Sequence, residues 1–479
     1  MTVKNKAKKQ LYINGEWVEA KEYTSLYSPY SRELIAEIPQ ATVEEVDLAI
    51  EAAYQARSKM AEMPSHQRAS ILEKLAGLLD QRSDEAAKII ALEAAKPITT
   101  AKGEIARTVQ TFKFAAEEAK RINGETIPMD AAPGGEGRLA YTVREPLGVI
   151  GAITPFNFPM NLVAHKVGPA IAAGNTVVLK PAGQTPLSAY FLAELLEEAG
   201  LPAGAFNVVT GSGSVVGEKL VKDGRVKKIS FTGSPEVGIG IRNKAGLKHV
   251  TLELGSNAAL IVDKGVDVEK IIPRCVTGSF AFQGQVCISL QRVYVHSEIY
   301  DRFVEKFVEA AAKLKVGDPL DPETDVSALI APKEVERTLG WIEEAKQNGA
   351  KVALGGTGEG TVLKPTVLLD VEPAAKVSCQ EVFAPIVLIN KVDSVADAIE
   401  LVNDSRYGLQ AGIFTENIRT AMDATKKLHV GGVLVNDIPT FRVDHMPYGG
   451  VKESGVGREG IKYAIEEMTE MKLVIINNN

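Results

Sequence analysis

The sequence predicts an α/β protein built on two doubly wound parallel sheets, with a small ribbon attached. Short apolar strands alternate with amphipathic stretches from about residue 147 to 254, and a second alternating region runs from about 258 to 435. Strands separated by helical crossovers pair in parallel, because no tight turn can join them. The ribbon is expected because residues 138–144 and 472–476 read as strands that neither alternating region absorbs.

The elements follow in order. Residues 1–10 carry four lysines with no apolar run behind them, so they read as a basic tail and not as a signal peptide. Residues 11–20 read as a hairpin turning at Asn14-Gly15. Thr42 and Glu45 have capping-box spacing, and Val46, Ile50, Ala53 and Ala56 recur behind them at helical intervals. Similar amphipathic patterns cover 71–79 and 86–119. Strands are then expected at 148–153, 176–179, 206–209, 228–231 and 250–254, with helices near 164–173, 187–199, 215–221 and 237–245. In the second region, strands are expected at 291–295 and 386–389, and helices at 300–314 and 333–348. Such sheets bind ligands at the carboxyl ends of their strands.

Composition excludes several function classes. Every apolar run is broken before about 18 residues, so no membrane span is expected. A net charge of -7 argues against nucleic acid, which needs a basic face. Three cysteines, Cys275, Cys287 and Cys379, form no C-x-x-C pair, which fits a reducing, cytoplasmic setting and no disulfide framework. The six histidines show no metal-ligand spacing, so no metal is expected.

Four segments carry chemistry: Ile153-Thr154-Pro155-Phe156-Asn157-Phe158-Pro159, Leu252-Glu253-Leu254-Gly255, Gly284-Gln285-Val286-Cys287 and Glu381-Val382-Phe383-Ala384-Pro385. Singly they say little. A lone cysteine is usually a small buried hydrophobe, and a proline-flanked asparagine is usually a turn residue. Together with Lys180-Pro181, Phe231-Thr232-Gly233-Ser234, Asn436 and the stretch from Pro447 to Gly457, they resemble the aldehyde dehydrogenase superfamily in order and spacing. The resemblance spans nearly the whole chain. It implies an aldehyde dehydrogenase-like fold, with residues 1–124 and 145–255 as the NAD(P)-binding domain and 256–460 as the catalytic domain. Residues 125–144 and 461–479 would form an oligomerisation ribbon joining a homodimer or homotetramer.

The chemistry agrees with that resemblance. An aldehyde carbon gives up hydride only after a nucleophile has made it tetrahedral, and a thiolate is the best side-chain nucleophile near neutral pH. Cys287 fits, among small residues that let substrate approach; Cys275 and Cys379 lack such a setting and read as structural. The adduct's oxyanion needs fixed donors. The resemblance implies Asn157 and the backbone N–H of Cys287. Hydrolysing the resulting thioester needs a base for water, and Glu253 occupies the family's position.

The cofactor site has no G-x-G-x-x-G after its first strand. Gly211, Gly213 and Gly217 are a weak glycine signal; Gly233, Ser234 and Gly238, opening a helix, suit a pyrophosphate better. The resemblance implies pyrophosphate on Ser234, the adenosine ribose on Lys180, the nicotinamide ribose on Glu381 and Phe383 near the ring. Thr154, Pro155, Phe156, Thr232 and Leu254 flank these positions and belong to the same expected cofactor surface.

Three positions depart from the common family pattern: Phe156 for Trp, Ser256 for the glycine after Gly255, and Gly183 for the Glu found in many NAD-preferring members. Gly183 leads to the expectation of dual NAD and NADP use. Phe156 raises an alternative, a semialdehyde dehydrogenase that passes its acyl group to coenzyme A, although such members generally lack the base. A silent binding protein of the same fold is the non-enzymatic alternative. For the substrate, Val286 replaces the Arg that often precedes the cysteine in members acting on phosphorylated aldehydes. The segments from Gly284 to Ser289 and from Phe441 to Tyr448 resemble lactaldehyde-type members, with Arg442 and His445 expected to line the mouth.

Overall fold

The computed structural model describes residues 8–478, so most of the basic tail lies outside the described residues. Among these, eight strands form one sheet in the order Glu16–Val18, Leu11–Ile13, Phe206–Val208, Thr176–Lys180, Val149–Ile153, Val226–Thr232, His249–Glu253 and Gly455–Val456. The central strands are parallel, and the edges are antiparallel. From Val149–Ile153 the chain winds outward one way through two strands, then returns to the other side with Val226–Thr232. That reversal opens a crevice at the carboxyl ends, between the loops that begin at Thr154 and Gly233.

A second sheet runs Lys351–Leu354, Thr366–Leu369, Ile386–Val392, Arg292–His296, Ala259–Val262, Gln410–Phe414 and Gly432–Val435. It is parallel apart from its antiparallel first strand. The antiparallel strand Gly455–Val456 ties the segment after Tyr448 to the strand that ends in Glu253.

Local signals behave as their chemistry requires. Asn14 and Gly15 both take positive φ, 56° and 79°, as a two-residue hairpin turn demands. The capping box forms, with Thr42 N–H donating to Glu45 and Glu45 N–H to Thr42 Oγ1. Two helical expectations change. The pattern over 86–119 is two helices, Ser83–Ala94 and Ile98–Ala119, because Ala95 turns left-handed (φ 50°) and Pro97 cannot continue a helix. The stretch expected as a helix at 215–221 begins as a wide turn, Gly213–Gly217, before Glu218–Lys222.

The two ribbon segments pair with each other, antiparallel, from Thr469 opposite Pro146 to Asn477 opposite Arg138. With Thr126–Ile127 they make a three-stranded sheet whose outer strand is the long tail Thr469–Asn477. Met471, Leu473 and Ile475 line one side of that strand and are each about half exposed. No helix among the described residues is long and apolar enough to cross a membrane.

Candidate active site

Cys287 lies half-buried beyond the helix Val268–Phe280, at the end of a left-handed turn through Phe282, Gln283 and Gly284 (φ 47°, 55° and 68°). Its Sγ is 3.0 Å from Tyr448 Oη. Burial pushes the thiol up to about 11, against the opposing pull of the Tyr448 hydroxyl and the Arg442 charge. Cys275 is fully buried and held neutral by that burial, and Cys379 Sγ meets only the Ala374 carbonyl, at 3.5 Å, and Gln380 Nε2, at 3.8 Å.

Asn157 is buried beside the thiol and lines the same cavity, of about 350 Å³. Its Nδ2 donates to the Gln285 carbonyl at 3.0 Å, which leaves the second amide hydrogen for a substrate oxygen. Its Oδ1 has no partner.

Glu253 ends its strand fully buried, and neither carboxyl oxygen has a hydrogen-bond partner. Gly449 backs it closely: a Cβ there would sit 2.9 Å from Oε1. Burial, reinforced by the neighbouring charge of Glu459, pushes Glu253 well above the usual carboxylate range. Glu459 goes the other way. Burial opposes its ionisation, but Lys166 at 2.9 Å and Arg442 at 3.0 Å outweigh burial and hold it well below the usual range. Burial and the Glu459 charge thus favour the neutral form of Glu253, while Lys166 and Arg442 favour the ionised form of Glu459.

Arg442 lies flat on the Tyr448 ring, 3.7 Å from its centroid. It reaches Glu459, and His165 Nε2 at 3.3 Å, and its buried Nε has no partner. Asp444 anchors the neighbourhood, accepting from Arg107 at 2.7 and 3.2 Å and from Asn161 at 3.1 Å, with His165 Nε2 at 2.9 Å. His445 is elsewhere: it is exposed, with its ring against Phe114.

A second cavity, of about 530 Å³, is lined by Thr154, Lys180, Gly213, Gly217, Thr232 and Gly233 among others. It shares Pro155, Thr232 and Gly233 with the thiol cavity, so the two form one groove along the crevice. The inner part brings Phe156, Ser234, Leu254, Glu381 and Phe383 to Cys287. Lys180 reaches the Pro181 carbonyl only at 3.4 Å, leaving its ammonium largely free. Glu381 accepts from the Ser256 backbone N–H at 2.9 Å, a bond to which the serine side chain is irrelevant. Burial pushes Glu381 up to about 7, against that hydrogen bond. Gly255 leaves it room, since a Cβ there would lie 2.7 Å from Glu381 Oε2. Phe383, itself left-handed (φ 51°), meets Phe156 edge to face at 5.8 Å.

Ser234 caps the helix Pro235–Lys244 through its hydroxyl. Gly238 lines neither cavity; it lets Leu254 pack against that helix, where a Cβ would meet Leu254 at 2.5 Å. Gly183 is exposed with open space around it and also lines neither cavity. Sequence reasoning missed Tyr448, Lys166, Glu459, Arg337 and Lys244. Lys166 had a readable signal, being a charge inside the wholly buried helix Asn161–Ala173, where it bonds Thr232 in the groove wall as well as Glu459. A long groove with a free ammonium, a buried carboxyl and a thiol at its end fits a dinucleotide and an aldehyde.

The profile of the aldehyde dehydrogenase family matches residues 17–474. The chain belongs to that family. A 3-sulfolactaldehyde dehydrogenase of Priestia aryabhattai is 50% identical over 467 residues, covering 98% of each chain. A lactaldehyde dehydrogenase of Methanococcus aeolicus is 42% identical over 98% of this chain and 100% of its own. The crystal structure of an NADP-dependent glyceraldehyde-3-phosphate dehydrogenase from Bacillus halodurans C-125, complexed with NADP, superposes with a TM-score of 0.96. It is 39% identical and covers 99% of this chain and 100% of its own. This aldehyde dehydrogenase is accordingly an oxidoreductase that uses NAD(P) to oxidise an aldehyde.

The thiol's setting yields a pH prediction. Alkylation of Cys287 by iodoacetamide, without cofactor, should accelerate with pH beyond 9 as the thiolate forms. Tyr448→Phe removes the hydrogen bond that favours thiolate, so at pH 9 that variant should react more slowly. An unchanged or faster rate would remove Tyr448 from control of the thiol.

Proposed function

We propose that this enzyme oxidises a short 2-hydroxyaldehyde to its acid through a thioester on Cys287, cleaved by water. The observation that carries the reading is Glu253, a buried carboxyl near the thiol whose oxygens no protein group bonds and which, once ionised, can take a proton from water. In this reading the Cys287 thiolate adds to the carbonyl carbon. The oxyanion is met by Asn157 Nδ2 and by the Cys287 backbone N–H. Lys180, Glu381 and the loop at Gly233 would hold NAD(P), whose nicotinamide would supply the hydride acceptor. Loss of hydride leaves the thioester, and Glu253 draws a proton from the attacking water. Because Glu253 is raised above the usual range, its ionised, basic form grows with pH, so hydrolysis should quicken as pH rises.

The hydroxyaldehyde assignment draws on the two relatives named for lactaldehyde-type substrates and on Arg442, whose guanidinium covers the Tyr448 ring that meets the thiol and whose buried Nε no protein group bonds. His445, exposed on Phe114, takes no part in this reading. NADP use is supported by the NADP-bound neighbour, by Lys180 and by Lys244 in the wall of the outer cavity. It is also supported by the open space at Gly183, where a Glu would repel a 2′-phosphate. The half-exposed apolar side of Met471, Leu473 and Ile475 supports a homodimer or homotetramer joined through the ribbon. With residues 125–144 and 461–479 as that ribbon, 1–124 and 145–255 form the cofactor domain and 256–460 the catalytic one. Three free cysteines fit a cytoplasmic location.

Four measurements check this reading. In a kcat/KM panel, lactaldehyde and 3-sulfolactaldehyde should exceed propanal by at least about tenfold, roughly the worth of one good hydrogen bond; parity with propanal would overturn the assignment. With coenzyme A present the product should remain the free acid, and acyl-CoA as the main product would reverse the choice of water. NADP should work within about 100-fold of NAD, and Gly183→Glu should move the ratio toward NAD; an unmoved ratio would sink the argument from Gly183. A monomeric mass by light scattering would contradict the ribbon assignment.

A further inference from the structure

Behind the thiol lies an ion pair that the mechanism above does not use. Lys96 and Glu104 are both wholly buried, and the ammonium bonds the carboxylate. Lys96 Nζ also donates to the backbone carbonyl of Asn157 at 2.6 Å. The other oxygen of Glu104 accepts from the N–H groups of Met160 and Asn161, at 3.0 and 3.2 Å. The pair therefore grips the Asn157 loop at two points, once at the carbonyl and once where the loop enters the helix Asn161–Ala173.

The same ammonium touches the other catalytic loop. It sits over the Phe158 ring at 3.8 Å and over the Phe282 ring at 4.2 Å. Phe282 begins the left-handed turn that leads to Cys287, a conformation that costs energy for a side chain of this size. The turn is held at its next residue too, since Gln283 Nε2 donates to the carbonyls of Ala95 and Ala328, at 2.9 and 2.8 Å. The residues flanking Pro97 at the helix break thus bind both the oxyanion loop and the nucleophile loop.

We propose that the Lys96–Glu104 pair is a positioning device for the oxyanion site, setting Asn157 Nδ2 against the substrate carbonyl on Cys287. A buried ion pair is a weak source of stability, and neutral replacements of similar volume often fold as well. Its retention beside two catalytic loops is explained by geometry, because a misplacement near 1 Å can cost about 100-fold in rate. The inference rests on the reading of Asn157 as the oxyanion donor.

The test is a double-mutant cycle read by the single-turnover burst of NADPH. Lys96→Met should slow the burst roughly 10- to 100-fold, while the NADP dissociation constant stays near wild type. Asn157→Ala should slow it roughly 100- to 1,000-fold. Because Lys96 acts through Asn157, the double variant should be no slower than Asn157→Ala alone. Costs that multiply, or a Lys96→Met burst equal to wild type, would overturn the proposal. An Asn157→Ala burst equal to wild type would instead overturn the oxyanion reading. Should Lys96→Met leave Glu104 unable to fold, the neutral pair Lys96→Met/Glu104→Gln takes its place in the same cycle with the same outcomes.

Discussion

The active site depends on one costly arrangement: a carboxyl, Glu253, buried with no hydrogen-bond partner on either oxygen. Such a group costs about 1–3 kcal/mol relative to a satisfied one. It persists because the surroundings leave it no alternative. Its strand is hydrogen-bonded on both sides, Gly449 closes the space beside it, and Glu459 already holds the local negative charge. Lys166 and Arg442 hold Glu459 ionised, and that charge, added to burial, disfavours a second ionised carboxylate at Glu253.

The fold converges on that point from three directions. The strand reversal of the first sheet creates the groove and aims the loops at Thr154 and Gly233 into it. The second sheet brings Glu381 and Phe383 to the inner end, where a Cβ at Gly255 would press on the Glu381 carboxyl. The C-terminal segment returns to the first sheet through Gly455–Val456, and so delivers Tyr448, Arg442 and Glu459 to the far side of the thiol. Substrate, cofactor and water would then meet where elements far apart in the chain abut.

Much of this was legible in the chain, and what was not has a physical reason. The central strands were readable because buried parallel strands are continuous apolar runs between helices, as in 148–153 and 176–179. The capping box and the Asn14-Gly15 turn are local chemistry and appeared where expected. Gln410–Phe414 and Gly432–Val435 were passed over because each includes a glycine, which weakens the strand pattern, and Ala259–Val262 was passed over although it is an apolar run of the same kind as 176–179. The pairing within the charge network was invisible for a different reason. Lys166 with Glu459, Arg107 with Asp444 and Lys96 with Asn157 are long-range pairs with no local pattern. His445 and Tyr448 sit three residues apart in one loop, and only the fold shows that the tyrosine faces the thiol.

The central claim is that water, activated by Glu253, cleaves an acyl group from Cys287, and trapping that acyl group tests it most directly. Glu253→Gln would be mixed with NADP and lactaldehyde, quenched in acid, digested and weighed by mass spectrometry. The account predicts one acyl group per subunit on the peptide containing Cys287, formed with one equivalent of NADPH, and almost none on wild type. A Glu253→Gln enzyme that turns over at the wild-type rate, with Cys287 unmodified, would contradict it.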